Sequence, residues 1–308
     1  MSTVVLLGPQ RFTPSLGEAV EAAGVRGLIV SVTAGWQERE AEDLELHEHL
    51  GERTVNLMLY ARGEDVFERD PDLFAAHRER QERLRELQRL YRARLAPLRE
   101  AAWRLLTAEG DESLLAPERD DAIAAMSRLD DHHLARVEAI DREFEAAWRP
   151  AERPALARHL AKIERVLEGA EGVAIAGGHV AILLNRLRLF GLAERIGTRT
   201  LFAWSAGAMV AAARVVLFND QPPEGEGIPE VLERGLELVG GVLPLPHARR
   251  RLLLDDRRRV ALFARRFAPD EALAFEDGGY RIWRDARGVG SAGVRRLGED
   301  GELHEVTA

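Results

Sequence analysis

Short hydrophobic runs alternate with amphipathic stretches along the first 60 residues. The runs 3–7, 27–33 and 54–60 predict strands, whereas 14–23 and the acidic stretch 37–50 have the three-to-four spacing of helices. The second run is β-branched and apolar on both faces, as in a strand whose sheet is covered on both sides. This alternation predicts an α/β domain with a mostly parallel sheet flanked by helices.

The pattern changes between residues 64 and 154, where no stretch resembles a strand. Apolar residues recur there every three or four positions in two series, 84–105 and 126–147. Each series is the apolar stripe of an amphipathic helix. Gly110 and Pro117 lie between the series and predict the turn of an antiparallel pair, and Pro97 should kink or divide the first helix. We therefore expect a long α-helical hairpin insertion, which could pack on the body, cover a site or form a homodimer interface.

The alternation resumes after Pro154 and continues to the end of the chain. Its expected elements are helix 155–168, strand 172–176, helix 180–190, strand 199–203, a helix-like run 209–216, strand 238–245 and helix 255–267. The end, 272–306, should form short strands joined by turns at 277–279 and 298–301. The sequence thus predicts one α/β domain, 1–63 and 155–308, interrupted by the insertion 64–154.

Composition and charge exclude several classes of function. The chain has 308 residues, no cysteine and a formal net charge of -9. The lack of cysteine rules out disulfides, thiolate metal sites and a cysteine nucleophile, and the acidic balance argues against nucleic-acid binding. No run approaches the roughly 18 apolar residues of a membrane span. The first residues suggest a strand rather than a signal peptide, and we expect a cytoplasmic protein without a membrane partner.

A serine follows the strand 199–203 at a turn made of small residues. The segment reads Ala203-Trp204-Ser205-Ala206-Gly207-Ala208, and a helix-like run comes next. A serine on such a strand–turn–helix bend can expose its hydroxyl, while the next N–H points at a developing oxyanion. Ser205 is therefore a candidate nucleophile, and the plainer interpretation is a helix-capping serine.

A serine nucleophile needs a base, and two of the nine histidines lie where a site is expected. Active sites in open α/β sheets gather at the carboxyl ends of strands. His179 follows the turn Gly177-Gly178, and His247 follows Pro246 at another predicted strand end. The remaining histidines lie on polar helices, in the insertion or, for His304, in the tail.

A catalytic histidine also needs a carboxylate that fixes its tautomer. Asp220 and Asp277 are the candidates, and both lie at predicted turns, where aspartate is also common for structural reasons. Gly177 and Gly178 would let a backbone N–H approach a substrate oxygen.

Together these residues resemble the peptidase S51 family of dipeptidase E and cyanophycinase, which has the flavodoxin-like, class I glutamine amidotransferase-like fold. The resemblance covers residues 1–60 and 155–290 in order, without the insertion. The matching features are Trp204-Ser205-Ala206-Gly207-Ala208, Asn219-Asp220, Ala176-Gly177-Gly178-His179, Pro246-His247 with Arg258 in the next helix, and Glu276-Asp277-Gly278.

The resemblance implies a serine hydrolase, without a metal or organic cofactor, that acts on a peptide or isopeptide bond of a short peptide, with aspartyl peptides as one substrate class. Ser205 would attack, His247 would act as base, and Asp277, or more weakly Asp220, would orient His247. The oxyanion would bind the N–H groups of Ala206 and of Gly177 or Gly178. The residues placed at the substrate are His179, Trp204, Asn219 and Arg258, with Arg214, Arg249 and Arg250 as further cations for an acidic group.

Two other interpretations remain open from the sequence. The family commonly has Gly-Gly-Gly-Asn where this chain has Ala176-Gly177-Gly178-His179, which favours an inactive binding or scaffold protein that uses its insertion for a partner. An α/β-hydrolase esterase would use Ser205, Asp277 and His304 in that order. Against it, Ala203 stands where the Gly-x-Ser-x-Gly elbow requires glycine.

Overall fold

A central sheet organises the molecule. A computed structural model describes residues 3–220 and 227–307 of the chain. The strands are β1 Thr3–Leu7, β2 Leu28–Val32, β3 Thr54–Asn56, β4 Ala170–Ile175, β5 Thr200–Trp204, β6 Arg214–Leu217, β7 Glu230–Arg234, β8 Val242–Pro246, β9 Glu271–Arg284, β10 Arg287–Leu297 and β11 Leu303–Glu305. The main sheet has the order β11-β10-β9-β1-β5-β4-β2-β3, and β8 also pairs with β9. Strands β6 and β7 form a separate antiparallel pair.

The five strands β1, β5, β4, β2 and β3 run parallel, so their carboxyl ends meet at one edge of the sheet. Strand β8 runs parallel to β9 and pairs Pro246 with Phe275. Strand β9 runs antiparallel to β1. The predicted mostly parallel α/β sheet is confirmed.

Helices cover both faces of this sheet. They are α1 Leu16–Ala22, α2 Leu44–His49, α3 Leu59–Arg69, α4 Pro71–Thr107, α5 Glu112–Trp148, α6 Pro154–Glu168, α7 Val180–Leu189, α8 Leu192–Ile196, α9 Ala206–Ala211, α10 Ala248–Arg251 and α11 Arg257–Phe267. Successive residues of β1 enter different cores: Val5 and Leu7 pack with α1, whereas Leu6 packs in the larger cluster on the other face. Burial on both sides explains why the parallel strands are continuously apolar.

The predicted insertion forms a long antiparallel hairpin of α4 and α5, each 37 residues long. Gly110 lies in the turn as expected, but Pro117 lies inside α5, so its placement in the turn was wrong. Pro97 lies inside α4, which continues through it. Asp70 and Asp111 accept backbone N–H bonds at the starts of the two helices and so fix where they begin. We call α4 and α5 the helical hairpin.

Several predicted boundaries differ from the structure. The helix after Ser205 ends at Ala211, and 214–217 is strand β6 instead of helix, because that β-branched segment pairs with β7. The predicted strand 54–60 stops at Asn56, and α3 begins at Leu59. Helix α3 runs across residue 64, so the boundaries of the insertion stay a prediction.

The carboxyl-terminal strands are longer than expected. The acid-glycine stretch 277–279 is a bulge within β9 rather than a turn, because β9 resumes its pairing with β10 at Tyr280. The chain reverses instead at Asp285 and Ala286, which both have positive φ.

A buried ionic cluster joins the helical hairpin to the body. Arg266 of α11 donates to both carboxylate oxygens of Asp130 at 2.8 Å, and Tyr91 donates to the same carboxylate at 2.7 Å. The side chains of Arg266 and Asp130 are 2% and 0% exposed. Arg266 also bonds the Pro229 carbonyl, and Ser127 bonds the Arg266 carbonyl. Removal of one charge would therefore leave the other buried without its partner.

We expect Asp130→Asn to lower the free energy of unfolding by about 3–5 kcal/mol, because the guanidinium of Arg266 keeps its burial but loses the opposite charge. Urea unfolding measures this change. The neighbouring Asp131 is exposed, so Asp131→Asn is the control and should stay within about 0.5 kcal/mol of the unsubstituted chain. Equal effects of the two substitutions would contradict the role of Asp130 in joining the helical hairpin to the body.

Candidate active site

Ser205 lies at the sharp turn between β5 and α9. Its backbone angles are φ 52° and ψ -122°, in a region that L-residues other than glycine rarely adopt. Such strain persists only where the surroundings impose it, and it is common at functional sites. The turn places Ser205 at the edge where the parallel strands end, half-buried beside a cleft.

Close backbone contact holds this turn in place. A Cβ atom at Gly207 would lie 2.2 Å from the Ile175 carbonyl oxygen, so only glycine lets α9 approach the end of β4. A Cβ at Gly177 would lie 2.7 Å from Cβ of Ser205 and 3.4 Å from its Oγ. The glycines therefore allow the turn after β4 and the turn after β5 to touch at the serine.

His247 stands beside Ser205. It follows β8 with φ 60°, and its Nε2 lies 3.3 Å from Ser205 Oγ. This separation suits a base and a nucleophile in an unliganded site, where catalytic hydrogen bonds are often long. The structure thus brings the predicted serine and histidine together from segments 42 residues apart.

The surroundings of His247 favour the neutral form of its ring. Burial lowers the pKa of His247, and the positive charges of Arg251 and Arg250 lower it further, while the carboxylate of Asp277 acts in the opposite direction. A neutral imidazole can accept a proton, so these effects favour His247 as a base at neutral pH.

The two candidate carboxylates differ in what they contact. Asp277 forms an ion pair with Arg250 at 3.2 Å. Its negative charge also raises the pKa of His247, but no hydrogen bond joins Asp277 to His247 among the described residues. Asp220 is buried; its carboxylate accepts the Leu253 N–H at 2.9 Å, and its backbone N–H donates to the Arg251 carbonyl. Asp220 thereby fixes the segment after α10, and burial raises its pKa.

Three backbone N–H groups near Ser205 are available for an oxyanion. Ala206 is the first residue of α9, so its N–H has no acceptor within the helix. Gly177 and Gly178 precede α7, and neither N–H donates to another group in the described ranges. Gly178 has φ 115° and packs against Gly35, which the absence of both side chains permits. The predicted oxyanion residues therefore lie around the serine.

A cleft of about 980 Å³ opens over this edge of the sheet. Its lining includes the predicted residues Ser205, His247, Gly177, Gly178, Ala206, Trp204 and Asn219. His179 is exposed and caps α7, where its Nδ1 accepts the Ile182 N–H at 3.3 Å. Neither His179 nor Arg258, which is exposed on α11, is part of the cleft lining in the described structure.

Sequence reasoning missed several residues of the cleft wall. They are Gln10, Arg11, Trp36, Arg92, Glu230 and Arg251. The turn at Gly8-Pro9 after β1 could have pointed to Gln10 and Arg11, because strand ends gather at this edge. No pattern in the sequence indicated Arg92, because its place depends on how the helical hairpin docks.

Two further features of the described residues concern metal binding and membrane crossing. In residues 3–220 and 227–307, no three His, Asp or Glu side chains come together as a metal ion would require. Among the helices within those ranges, none combines the length and apolar character that a membrane crossing needs. The groups at the cleft are suited to acyl transfer through a serine, a neutral histidine and backbone donors.

A family model matches this chain, and solved structures of peptidases are similar to it. The model of peptidase family S51 matches residues 123–277, from within α5 to the bulge in β9. A peptidase from an acI-B1 actinobacterium has a similar structure, with 13% identity, a TM-score of 0.49 and coverage of 100% of this chain and 95% of that chain. A Listeria monocytogenes EGD-e protein, provisionally named peptidase E, shows 10% identity, a TM-score of 0.44 and coverage of 97% and 100%. No curated protein matches the sequence.

The positive charge near His247 gives a test of its role. If His247 is the base, Arg251→Gln removes a charge that lowers its pKa, so the pKa rises and the acidic limb of the pH profile moves to higher pH. The measurement is the rate of Ser205 labelling by a fluorophosphonate against pH. Arg249→Gln is the control, because Arg249 is exposed and pairs with Glu276. A limb that stays in place in Arg251→Gln, or moves equally in both variants, contradicts the assignment.

Proposed function

The chain belongs to peptidase family S51, and from that premise we propose that it is a serine hydrolase cleaving a peptide or isopeptide bond in a short peptide. The observation that carries the proposal is the contact between Ser205 Oγ and His247 Nε2 at 3.3 Å, made at a strained turn inside the cleft. A serine that served only to cap a helix would not need a histidine at that distance.

The residues around Ser205 support an acyl-enzyme mechanism. His247 Nε2 takes the hydroxyl proton as Ser205 Oγ attacks the substrate carbonyl, and the oxyanion accepts N–H bonds from Ala206 and from Gly177 or Gly178. His247 then gives its proton to the leaving amine as the C–N bond breaks. Water, activated by the same histidine, hydrolyses the ester and restores Ser205.

We assign the orientation of His247 to Asp277, with Asp220 as the weaker candidate. The charge of Asp277 favours the protonated form of His247, as the third member of a triad must when the base holds the proton. The carboxylate of Asp277 also forms an ion pair with Arg250. Asp220 supports the segment that carries Arg251 and Leu253 and would act through its position.

The charges of the cleft support a small zwitterionic peptide as substrate. Arg11 and Arg251 line it without an acidic partner in the described part of the chain, which suits a substrate carboxylate such as that of an aspartyl residue. Glu45 lines the same cleft and suits an ammonium group, whereas Glu42, which also lines it, is paired with Arg39. A volume of about 980 Å³ is of the size that holds small ligands.

The second candidate function is a catalytically inactive binding protein of the same fold. One observation favours it: Asp277 pairs with Arg250 and makes no hydrogen bond to His247 in the described residues. In that case the helical hairpin, rather than Ser205, would serve a partner.

The test is hydrolysis of aspartyl and β-aspartyl dipeptides, measured as the release of the free amino acid. We expect Ser205→Ala and His247→Ala each to lower kcat/KM by at least about 10³-fold, because the serine and its base act as one unit. His132→Ala is the control, since His132 is exposed on the hairpin, and a metal chelator should leave the rate unchanged. Full activity in Ser205→Ala, or strong inhibition by chelator, would overturn the serine mechanism; no hydrolysis of any peptide would favour the inactive alternative.

A further inference from the structure

The helical hairpin holds one wall of the cleft in place through the segment 229–231. The Val231 N–H donates to the Tyr91 hydroxyl at 3.1 Å, and the Val231 carbonyl accepts from Gln88 Nε2 at 3.2 Å. The Pro229 carbonyl accepts from Arg266, which the hairpin's Asp130 holds in turn. The backbone on both sides of Glu230 is therefore positioned by the hairpin or by a residue bound to it.

The same part of α4 adds a charged side chain to the wall. Arg92 Nε donates to Glu230 Oε2 at 2.6 Å, and Gln88 Nε2 donates to the same oxygen at 3.2 Å. Arg92 and Glu230 both line the cleft that contains Ser205. The Arg92 side chain is 56% exposed and that of Glu230 is 21% exposed, so the pair is fixed on one side and open on the other.

Only part of the Arg92 guanidinium is used by this contact. A guanidinium has five N–H donors, and the bond to Glu230 engages Nε. Nη1 and Nη2 have no hydrogen-bond acceptor among the residues described. These two nitrogens form an edge whose geometry matches a carboxylate bidentately.

The fixed orientation distinguishes Arg92 from the other cations of the cleft. Arg11 stacks on Phe12 at 5.5 Å and Arg251 on Phe218 at 5.9 Å, and among residues 3–220 and 227–307 no carboxylate holds either guanidinium. Ordering such a long side chain on binding costs conformational entropy. Glu230 and Gln88 already restrict the Arg92 side chain, so Arg92 loses less conformational entropy on binding. The negative charge of Glu230 offsets some of the attraction of Arg92 for an anion.

We propose that Arg92 binds a carboxylate of the peptide substrate through Nη1 and Nη2, and that the helical hairpin is thereby a specificity element of the cleft. Glu230 and Gln88 are positioning residues that hold the Arg92 guanidinium. The inference rests on the proposed function, because it takes the cleft as a peptide-binding site. The carboxylate can be that of an acidic side chain or of the peptide's carboxyl terminus.

The test measures binding rather than turnover, in the full chain carrying Ser205→Ala. The probes are the dipeptide Asp-Leu, its carboxyl-terminal amide and Asn-Leu, and isothermal titration gives each Kd. We expect Arg92→Ala to weaken Asp-Leu by about 10- to 100-fold, the range for hydrogen bonds to charged groups. The analogue that lacks the bound carboxylate should already bind weakly and should change little, which identifies the carboxylate.

Two further variants separate recognition from a loss of structure. Arg89→Ala lies one turn earlier on the same helix, where Arg89 is exposed and paired with Glu86, and it should bind all three probes as the parent does. Arg92→Lys keeps the charge without the planar fork and should recover only part of the affinity for Asp-Leu.

Equal weakening of all three probes by Arg92→Ala, no change in any, or no binding of any probe to the parent would each overturn the inference. Hydrolysis by the unsubstituted chain is a separate result. If Asp-Leu binds through Arg92 and is not cleaved, the proposed hydrolase fails while the role of Arg92 stands. If cleavage occurs and Arg92→Ala has no effect on binding, only the role of Arg92 fails.

Discussion

The close approach of the backbone after β4 to the backbone after β5 is the constraint on which the site depends. Gly207 touches the end of β4, and Gly177 touches Ser205, at distances that no Cβ atom would allow. This contact accompanies the positive φ of Ser205 and places the serine beside the N–H groups of Ala206, Gly177 and Gly178. The proposed attack of Ser205 on a carbonyl, with backbone N–H groups holding the oxyanion, depends on the turn that these glycines allow.

Electrostatics then decides which chemistry the site favours. His247 is half-buried between basic residues, which lowers its pKa, and Asp277 opposes that effect from the bulge in β9. Arg250 contributes to both, because it lies near the ring and pairs with Asp277. A substrate carboxylate that drew Arg250 or Arg251 away would strengthen the influence of Asp277 on His247. In the proposed mechanism, the charge of the substrate and the pKa of His247 are therefore coupled.

The sequence predicted the parts of the molecule that depend on local chemistry. Alternating periodicity located the parallel strands, and the small residues after Ser205 located the turn, because close packing restricts those positions to particular residue types. The placement of 214–216 in a helix was wrong because the pairing of β6 with β7 is a long-range contact that outweighs helical spacing. The bulge at 277–279 was taken for a turn because glycine and aspartate favour both. Arg92 could not be found because its place in the cleft depends on the docking of the helical hairpin, to which the Asp130–Arg266 pair and the contacts of Tyr91 and Gln88 with Val231 contribute.

The helical hairpin and the α/β body therefore belong to one functional unit in this account, with Ser205 at its centre. The most direct measurement of that claim is a crystal structure of the protein after reaction with a fluorophosphonate. The account predicts a phosphonyl group on Ser205 Oγ, with its phosphoryl oxygen about 2.7–3.1 Å from the N–H nitrogen of Ala206 and from that of Gly177 or Gly178. An unmodified Ser205, or an adduct whose phosphoryl oxygen points away from those N–H groups, would contradict it.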